Sequence, residues 1–337
     1  MSVSIRPKDR TASFYVRTAW IILGAVLIVR ALVASQIELV GDEAYYWRWS
    51  NHLDWSYYSK GPGVAVAIFL GTGLLGDTEL GVRLLTLLVG FGTGWGIFTL
   101  GRRLFSARVG FWSMVAGAMV PLFLAGGVLM TIDPLSVFFW VVASLFFWRA
   151  RSGDRLADWL LAGLWIGIGF LCKYTNIALL ACFALFLLWN RADRRQFRRP
   201  GVYLMTAVAL LCFAPVLVWN AQHDWITFRH LMERGQFDEP FRVRPTAFLE
   251  FLSLQFLLFY PPFAVGLVVA FVRMRKVLFE EFGPQTKFLL SLILPSFLFY
   301  AGMALNDPGE GNWTAQTYPA ALILLSASWN LMIHRRH

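Results

Sequence analysis

Two adjacent carboxylates, Asp42 and Glu43, open the stretch of sequence best suited to chemistry. They follow directly on the first long apolar run. A carboxylate near a membrane surface is costly to dehydrate unless it has a partner or a task, and the task open to it is acid–base work. The alternative is structural: acidic residues in the first turn of a helix are favoured by its dipole by roughly 0.3 to 1 kcal/mol. Further along, Lys60 precedes Gly61-Pro62-Gly63, a bend that lets backbone approach a ligand closely. Arg83 stands where the next span begins, either facing a ligand or snorkelling to headgroups. Lys173 lies in a hairpin between apolar segments, where an unpaired charge is expensive. Asp133 precedes Pro134 and has an N-cap reading beside a functional one. His223 and His230 are one heptad apart and could share a helix face, but without a third ligand they make no metal site, so loop structure or substrate contact is the better reading.

These residues need elements to position them, and composition says which kind. Of 337 residues, 58% are hydrophobic and 15% charged, outside the balance of a soluble domain. The expected fold class is an all-α polytopic membrane protein, residues 1–337 forming one transmembrane domain. A helix crosses the hydrocarbon in about 20 residues. Between charged markers that rule places about ten spans, near 18–36, 80–100, 109–129, 134–150, 156–171, 175–190, 201–219, 248–272, 287–304 and 317–333. Arg6, Lys8, Arg10 and Arg17 precede the first apolar run, which is too long for a signal peptide and reads as a retained span.

The net charge of +10 could suggest nucleic acid, but the basic residues form short clusters between spans rather than one face. Arg102, Arg103 and Arg108; Arg149, Arg151 and Arg155; Arg191 to Arg199; Arg273, Arg275 and Lys276; and Arg335 and Arg336 mark a cytoplasmic side. Both termini would then be cytoplasmic. Asp42, Asp133, Lys173 and the loops 37–80 and 220–247 face the other way. In the first loop, seven Tyr and Trp residues fall between Tyr45 and Tyr58, so it should form interfacial helices, with 64–75 as a second one. The second loop mixes Asp224, Glu233, Asp238 and Glu239 with Arg229, Arg234, Arg242 and Arg244, a balance suited to a small structured element. Cys172, Cys182 and Cys212 show no pairing pattern and read as core filler.

The run Gly41-Asp42-Glu43-Ala44-Tyr45-Tyr46-Trp47, followed by Tyr57-Tyr58-Ser59-Lys60-Gly61-Pro62-Gly63, resembles the first outer loop of the bacterial glycosyltransferase family 39 and aminoarabinose-transferase-like proteins. These are relatives of the protein O-mannosyltransferases within the GT-C superfamily. Thr131-Ile132-Asp133-Pro134-Leu135, Gly169 to Thr175, Trp219-Asn220 with His223-Asp224-Trp225, and Asn312-Trp313 agree in order and spacing. The resemblance covers nearly the whole apolar region.

It implies transfer of a sugar from a polyprenyl-phosphate carrier to a hydroxyl of a lipid, glycan or protein, on the periplasmic face of a bacterial inner membrane. By matching motif, Asp42 is the catalytic base, Glu43 supports the site, and Asp133 orients the acceptor or Asp42. A leaving lipid phosphate gathers charge and needs cations, for which Lys60, Arg83 and Lys173 are the candidates. Tyr57, Tyr58 and His230 complete the expected substrate contacts. A divalent ion held by Asp42, Glu43 and Asp133 stays open, since their spacing does not demand one. Two other classes also remain: a lipid-linked sugar flippase, against which the charges gather at one surface rather than at the bilayer midplane, and a non-catalytic relative short of the soluble C-terminal domain that some members carry.

Overall fold

The computed structural model describes residues 9–153, 155–236 and 242–334. Arg6, Lys8, Asp238, Glu239, Arg335 and Arg336 lie outside them, as does the side chain of Arg10. The chain runs as α1 (Asp9–Ala34), the short helices α2 (Gly41–Ser50) and α3 (Gly63–Leu75) of the first outer loop, α4 (Glu79–Leu104), α5 (Ala107–Met119) and α6 (Pro121–Ala125). There follow α7 (Ile132–Gly153), α8 (Leu156–Cys172), α9 (Ala178–Trp189), α10 (Pro200–Leu211), α11 (Ala214–Gln222), α12 (Ile226–Arg234), α13 (Pro245–Leu258), α14 (Pro261–Glu281), α15 (Gly283–Met303) and α16 (Tyr318–His334). No strand occurs among the described residues.

The all-helical expectation holds, but the count of ten spans does not carry over. Among the described residues, five helical segments are long and apolar enough to cross a membrane, or up to seven if each of two sharply bent pairs is one span. Proline accounts for two of the interruptions. The expected span 109–129 breaks at Val120, whose extended backbone precedes Pro121, so α5 has only 13 residues. The expected span 248–272 is two helices bent by 97°, with Tyr260 at a positive φ of 80° before Pro261-Pro262. A third bend, of 119°, separates α9 from the 3₁₀ segment Arg191–Arg198. There Asp193 accepts from Arg151 at the end of α7 (2.8 Å), so two of the basic clusters meet.

Aromatic packing holds the centre. Phe147 of α7 stacks on Phe183 of α9, ring centroids 3.9 Å apart, and both face Phe288 of α15, with Trp140 and Trp159 fully buried nearby. By contrast α1 shows Ile21, Ile28 and Leu32 on its outside. Large apolar side chains left uncovered on helices of this length belong in lipid, and the chain is an integral membrane protein.

Candidate active site

One ion-pair latch sets the geometry. Glu43 lies in the first turn of α2 and is fully buried. Its oxygens accept from Arg83 Nε (2.8 Å) and Nη2 (2.5 Å), from the Met130 amide (2.8 Å) and from the Val40 amide (3.1 Å). Arg83 donates further to the carbonyls of Ala34 (2.8 Å), Ile37 (2.7 Å) and Glu38 (2.9 Å). An arginine has five N–H donors, and here every one is used. The latch ties the end of α1, the start of α2, the start of α4 and the approach to α7 into one unit. Asp42 and Asp133 are thereby held at fixed places beside it.

Arg83, expected as a phosphate contact, and Glu43, expected to support the site, are thus each other's partners in the latch. Neither lines a cavity, and a phosphate could reach Arg83 only by displacing its existing partners. Tyr57, expected as a substrate contact, does not line the large cavity either. Its ring stacks on Trp49 at 4.4 Å with an interplanar angle of 2°, and its hydroxyl donates to the carbonyls of Trp49 and His52, which stabilises the loop.

The other expected residues converge. Asp42, Tyr58, Lys60, Asp133, Lys173 and His230 all line one cavity of about 720 Å³. Adjacent helical residues point about a quarter-turn apart, so with Glu43 turned inward Asp42 faces outward and stays exposed. Its carboxylate has no hydrogen-bond or ion-pair partner among the described residues.

Lys60 reaches the cavity because of the glycines that follow it. A Cβ on Gly61 would collide with the Leu171 carbonyl, and one on Gly63 would meet Cys172 Sγ at 2.5 Å. The close approach that glycine allows is thus to the end of α8 rather than to a ligand, and it sets Lys60 beside Lys173. Two buried side chains anchor the same loop: Thr227 Oγ1 donates to the Tyr57 carbonyl (2.7 Å), and Ser56 Oγ lies 3.0 Å from Tyr174 Oη. Burial, helped by the charges of Arg234 and Lys173, brings the Lys60 amine down to about 8.

Lys173 resolves its charge differently. Its Nζ donates to Asp133 Oδ1 at 2.6 Å, while Asn312 Nδ2 donates to Asp133 Oδ2 at 2.6 Å. Asp133 is accordingly inside the first turn of α7, bound sideways to two other elements rather than capping its own helix. One turn further along both chains, Ser136 and Asn176 clamp α7 to the segment after α8, with Ser136 Oγ donating to Asn176 Oδ1 at 2.6 Å. Across the cavity Arg234 pairs with Glu310 (3.0 Å), and Tyr58 packs on His230 with ring centroids 4.6 Å apart. Burial and the nearby Lys60 and Arg234 lower the His230 imidazole from its ordinary value. His223 turns away, stacked on Trp219 at 3.9 Å. No three His, Cys, Asp or Glu side chains come together as a metal-binding group among the described residues.

The reading by sequence missed the roles of Asn312 and the Arg234–Glu310 pair. Asn312 stood out only as part of the Asn312-Trp313 match, and nothing in its neighbourhood signals a partner 179 residues away. Charge bookkeeping over the cavity is simple. Lys173 is paired with Asp133 and Arg234 with Glu310, which among the described residues leaves Asp42 as the unpaired acid and Lys60 as the lysine without a counter-ion.

Comparison with known proteins agrees with this frame. Residues 59–219 match the model of the dolichyl-phosphate-mannose-protein mannosyltransferase family. The chain is similar to the lipid A galacturonosyltransferase RgtD of Rhizobium johnstonii, 29% identical over 293 residues, which cover 87% of this chain and 60% of that protein. The chain thus spans about 60% of the length of this curated relative. Its fold matches the crystal structure of ArnT from Cupriavidus metallidurans, TM-score 0.71 at 21% identity, over 94% of this chain and 60% of that one. ArnT bound to undecaprenyl phosphate matches equally well, with 93% of this chain covered. AglB from Archaeoglobus fulgidus, in complex with an inhibitory peptide and a dolichol phosphate, matches with a TM-score of 0.57 at 15% identity, over 93% of this chain and 51% of that one. By sequence the chain is thus similar to glycosyltransferases, and it shares its fold with ArnT.

Proposed function

We propose that the chain transfers a sugar from a polyprenyl-phosphate carrier to a hydroxyl acceptor at the cavity bounded by Asp42 and Lys60, on the periplasmic side of a bacterial inner membrane. The observation that carries this reading is the pairing pattern: among the described residues, one exposed carboxylate without a partner and one lysine without a counter-ion face the same space, while Lys173 and Arg234 are paired.

In the proposed step, the acceptor oxygen attacks the anomeric carbon from the face opposite the phosphate. The new C–O bond forms as the old one breaks, and the anomeric centre inverts. Asp42 takes the acceptor's proton. The departing phosphate keeps the bonding electron pair and gains charge, which Lys60 is placed to receive. A phosphate beside the Lys60 amine also favours its protonated form, opposing the burial that brings it down to about 8. Tyr58 and His230 line the space where a sugar ring would sit. Asp133 is proposed to hold that wall in position through Lys173 and Asn312.

Two structures of similar fold support a polyprenyl-type donor: ArnT is bound to undecaprenyl phosphate and AglB to a dolichol phosphate. RgtD, by its name, acts on lipid A, which favours a lipid acceptor. Mass spectrometry of lipids from a strain lacking the protein tests the proposal. A polyprenyl-phosphate sugar should accumulate while a glycolipid loses one sugar, and Asp42→Asn should fail to reverse either change. Unchanged profiles of both lipids would rule it out.

A further inference from the structure

A second cation lies inside the membrane wall, and the transferase reading gives it no role. Arg30 sits about one turn from the end of α1, the end that leads to Asp42. A basic residue there runs against the tendency of lysine and arginine to gather at the opposite, cytoplasmic ends of spans. An arginine within a span is a functional candidate by default.

Its surroundings are built for access. The guanidinium makes one hydrogen bond, from Nη2 to the Phe123 carbonyl at 2.9 Å, and no ion pair among the described residues. Its remaining donors therefore stay free. Two glycines make the space around it. A Cβ on Gly127 would collide with the guanidinium carbon, and one on Gly90 would come within 3.2 Å of Nη1. Arg30 lines a small cavity of about 60 Å³ among α1, α4, α5, α6 and α7. That is room for about two waters, or one phosphate-sized group. Most of its wall is apolar, with Leu23, Ile97 and Val137 among its members, and Asp133 is the residue it shares with the large cavity. Arg30 is itself only partly buried, and Val29 and Leu124 on the helices that carry the site are 59% and 50% exposed, so the site lies at the edge of the bundle beside lipid.

We infer that Arg30 binds the phosphate of a second membrane lipid, distinct from the carrier and on the other side of Asp133 from Lys60. The ligand class follows from the chemistry. A guanidinium with several free donors matches a phosphate fork to fork, and the apolar, lipid-facing border suits a phosphate on an acyl-chain lipid. The inference rests on the proposed transferase function only in naming Lys60 as the carrier's site.

The test uses the full chain in phosphatidylcholine nanodiscs containing phosphatidic acid with a dansyl-labelled tail, read by energy transfer from the protein's tryptophans. Arg30→Gln should weaken phosphatidic acid binding about tenfold or more, the scale of one charge-assisted hydrogen bond. Gly127→Ala, which displaces the guanidinium and keeps its charge, should do the same if Arg30→Gln fails to fold. Lys60→Gln should leave this binding unchanged while weakening undecaprenyl phosphate. Equal binding by wild type and Arg30→Gln would overturn the inference. So would one-for-one competition between the two lipids, and displacement of the probe by inorganic phosphate would reassign the site to a soluble anion. If Lys60→Gln leaves undecaprenyl phosphate binding intact, the donor assignment falls and the Arg30 site stands.

Discussion

Lys173 Nζ lies 2.6 Å from Asp133 Oδ1, and that contact decides which cation in the cavity is free to meet a phosphate. Both side chains are nearly buried, so each needs the other. Lys173→Met should destabilise the protein by about 3 kcal/mol or more, because it strands a buried carboxylate with only Asn312 to solvate it. The double variant Asp133→Asn with Lys173→Met should recover most of that loss. A thermal-unfolding cycle over the four proteins measures the coupling, and additive effects would show that the pair contributes nothing.

Arg83 is expected to behave as part of the scaffold. Replacing it with methionine leaves Glu43 charged and buried, at a cost of about 3 to 5 kcal/mol, seen as a lower Tm and loss of folded protein from detergent. A direct phosphate contact would behave otherwise: Arg83→Lys would fold normally and raise only the donor KM.

Lys60 predicts a pH limb. Its amine titrates at about 8 and is protonated below that value. A carrier phosphate meets a cation at pH 7 and an uncharged amine at pH 9, so kcat/KM for the donor should fall as pH rises through about 8. Because Arg keeps its charge throughout, Lys60→Arg should remove this limb. A limb that persists in that variant would assign it to another group.

Gly61→Ala tests how the lysine is placed. The added methyl group would strike the Leu171 carbonyl, so the loop must move and carry Lys60 with it. Donor KM should rise about tenfold with little change in Tm, the scale of one charge-assisted phosphate contact. If KM is unchanged, the glycine serves only packing.

Much of this site was legible in the chain because its chemistry is local. Asp42 follows an apolar run and precedes an aromatic one, and Lys60 and Lys173 are isolated charges in apolar surroundings. What stayed hidden depends on helical phase and distant pairing. Glu43 and Asp42 are neighbours in sequence, yet one turns into a buried latch and the other into the cavity. Tyr57 and Tyr58 divide in the same way, one onto Trp49 and the other onto His230. Arg83 reads as a surface charge at the start of a span, and only folding reveals Glu43 forty residues away as its partner. The expected span bounds differ from the helices because hydropathy averages over Pro121 and Pro261, which interrupt helices inside apolar stretches. Those prolines were visible, and weighing them would have split both spans.

The central claim is that Asp42 does the chemistry and Lys60 holds the carrier. The most direct measurement places both variants in proteoliposomes with a polyprenyl-phosphate sugar and follows donor binding and single-turnover transfer side by side. Asp42→Asn should bind the donor as wild type does while its transfer rate falls about 100-fold or more, and Lys60→Gln should lose donor affinity. Wild-type transfer by Asp42→Asn would contradict the account.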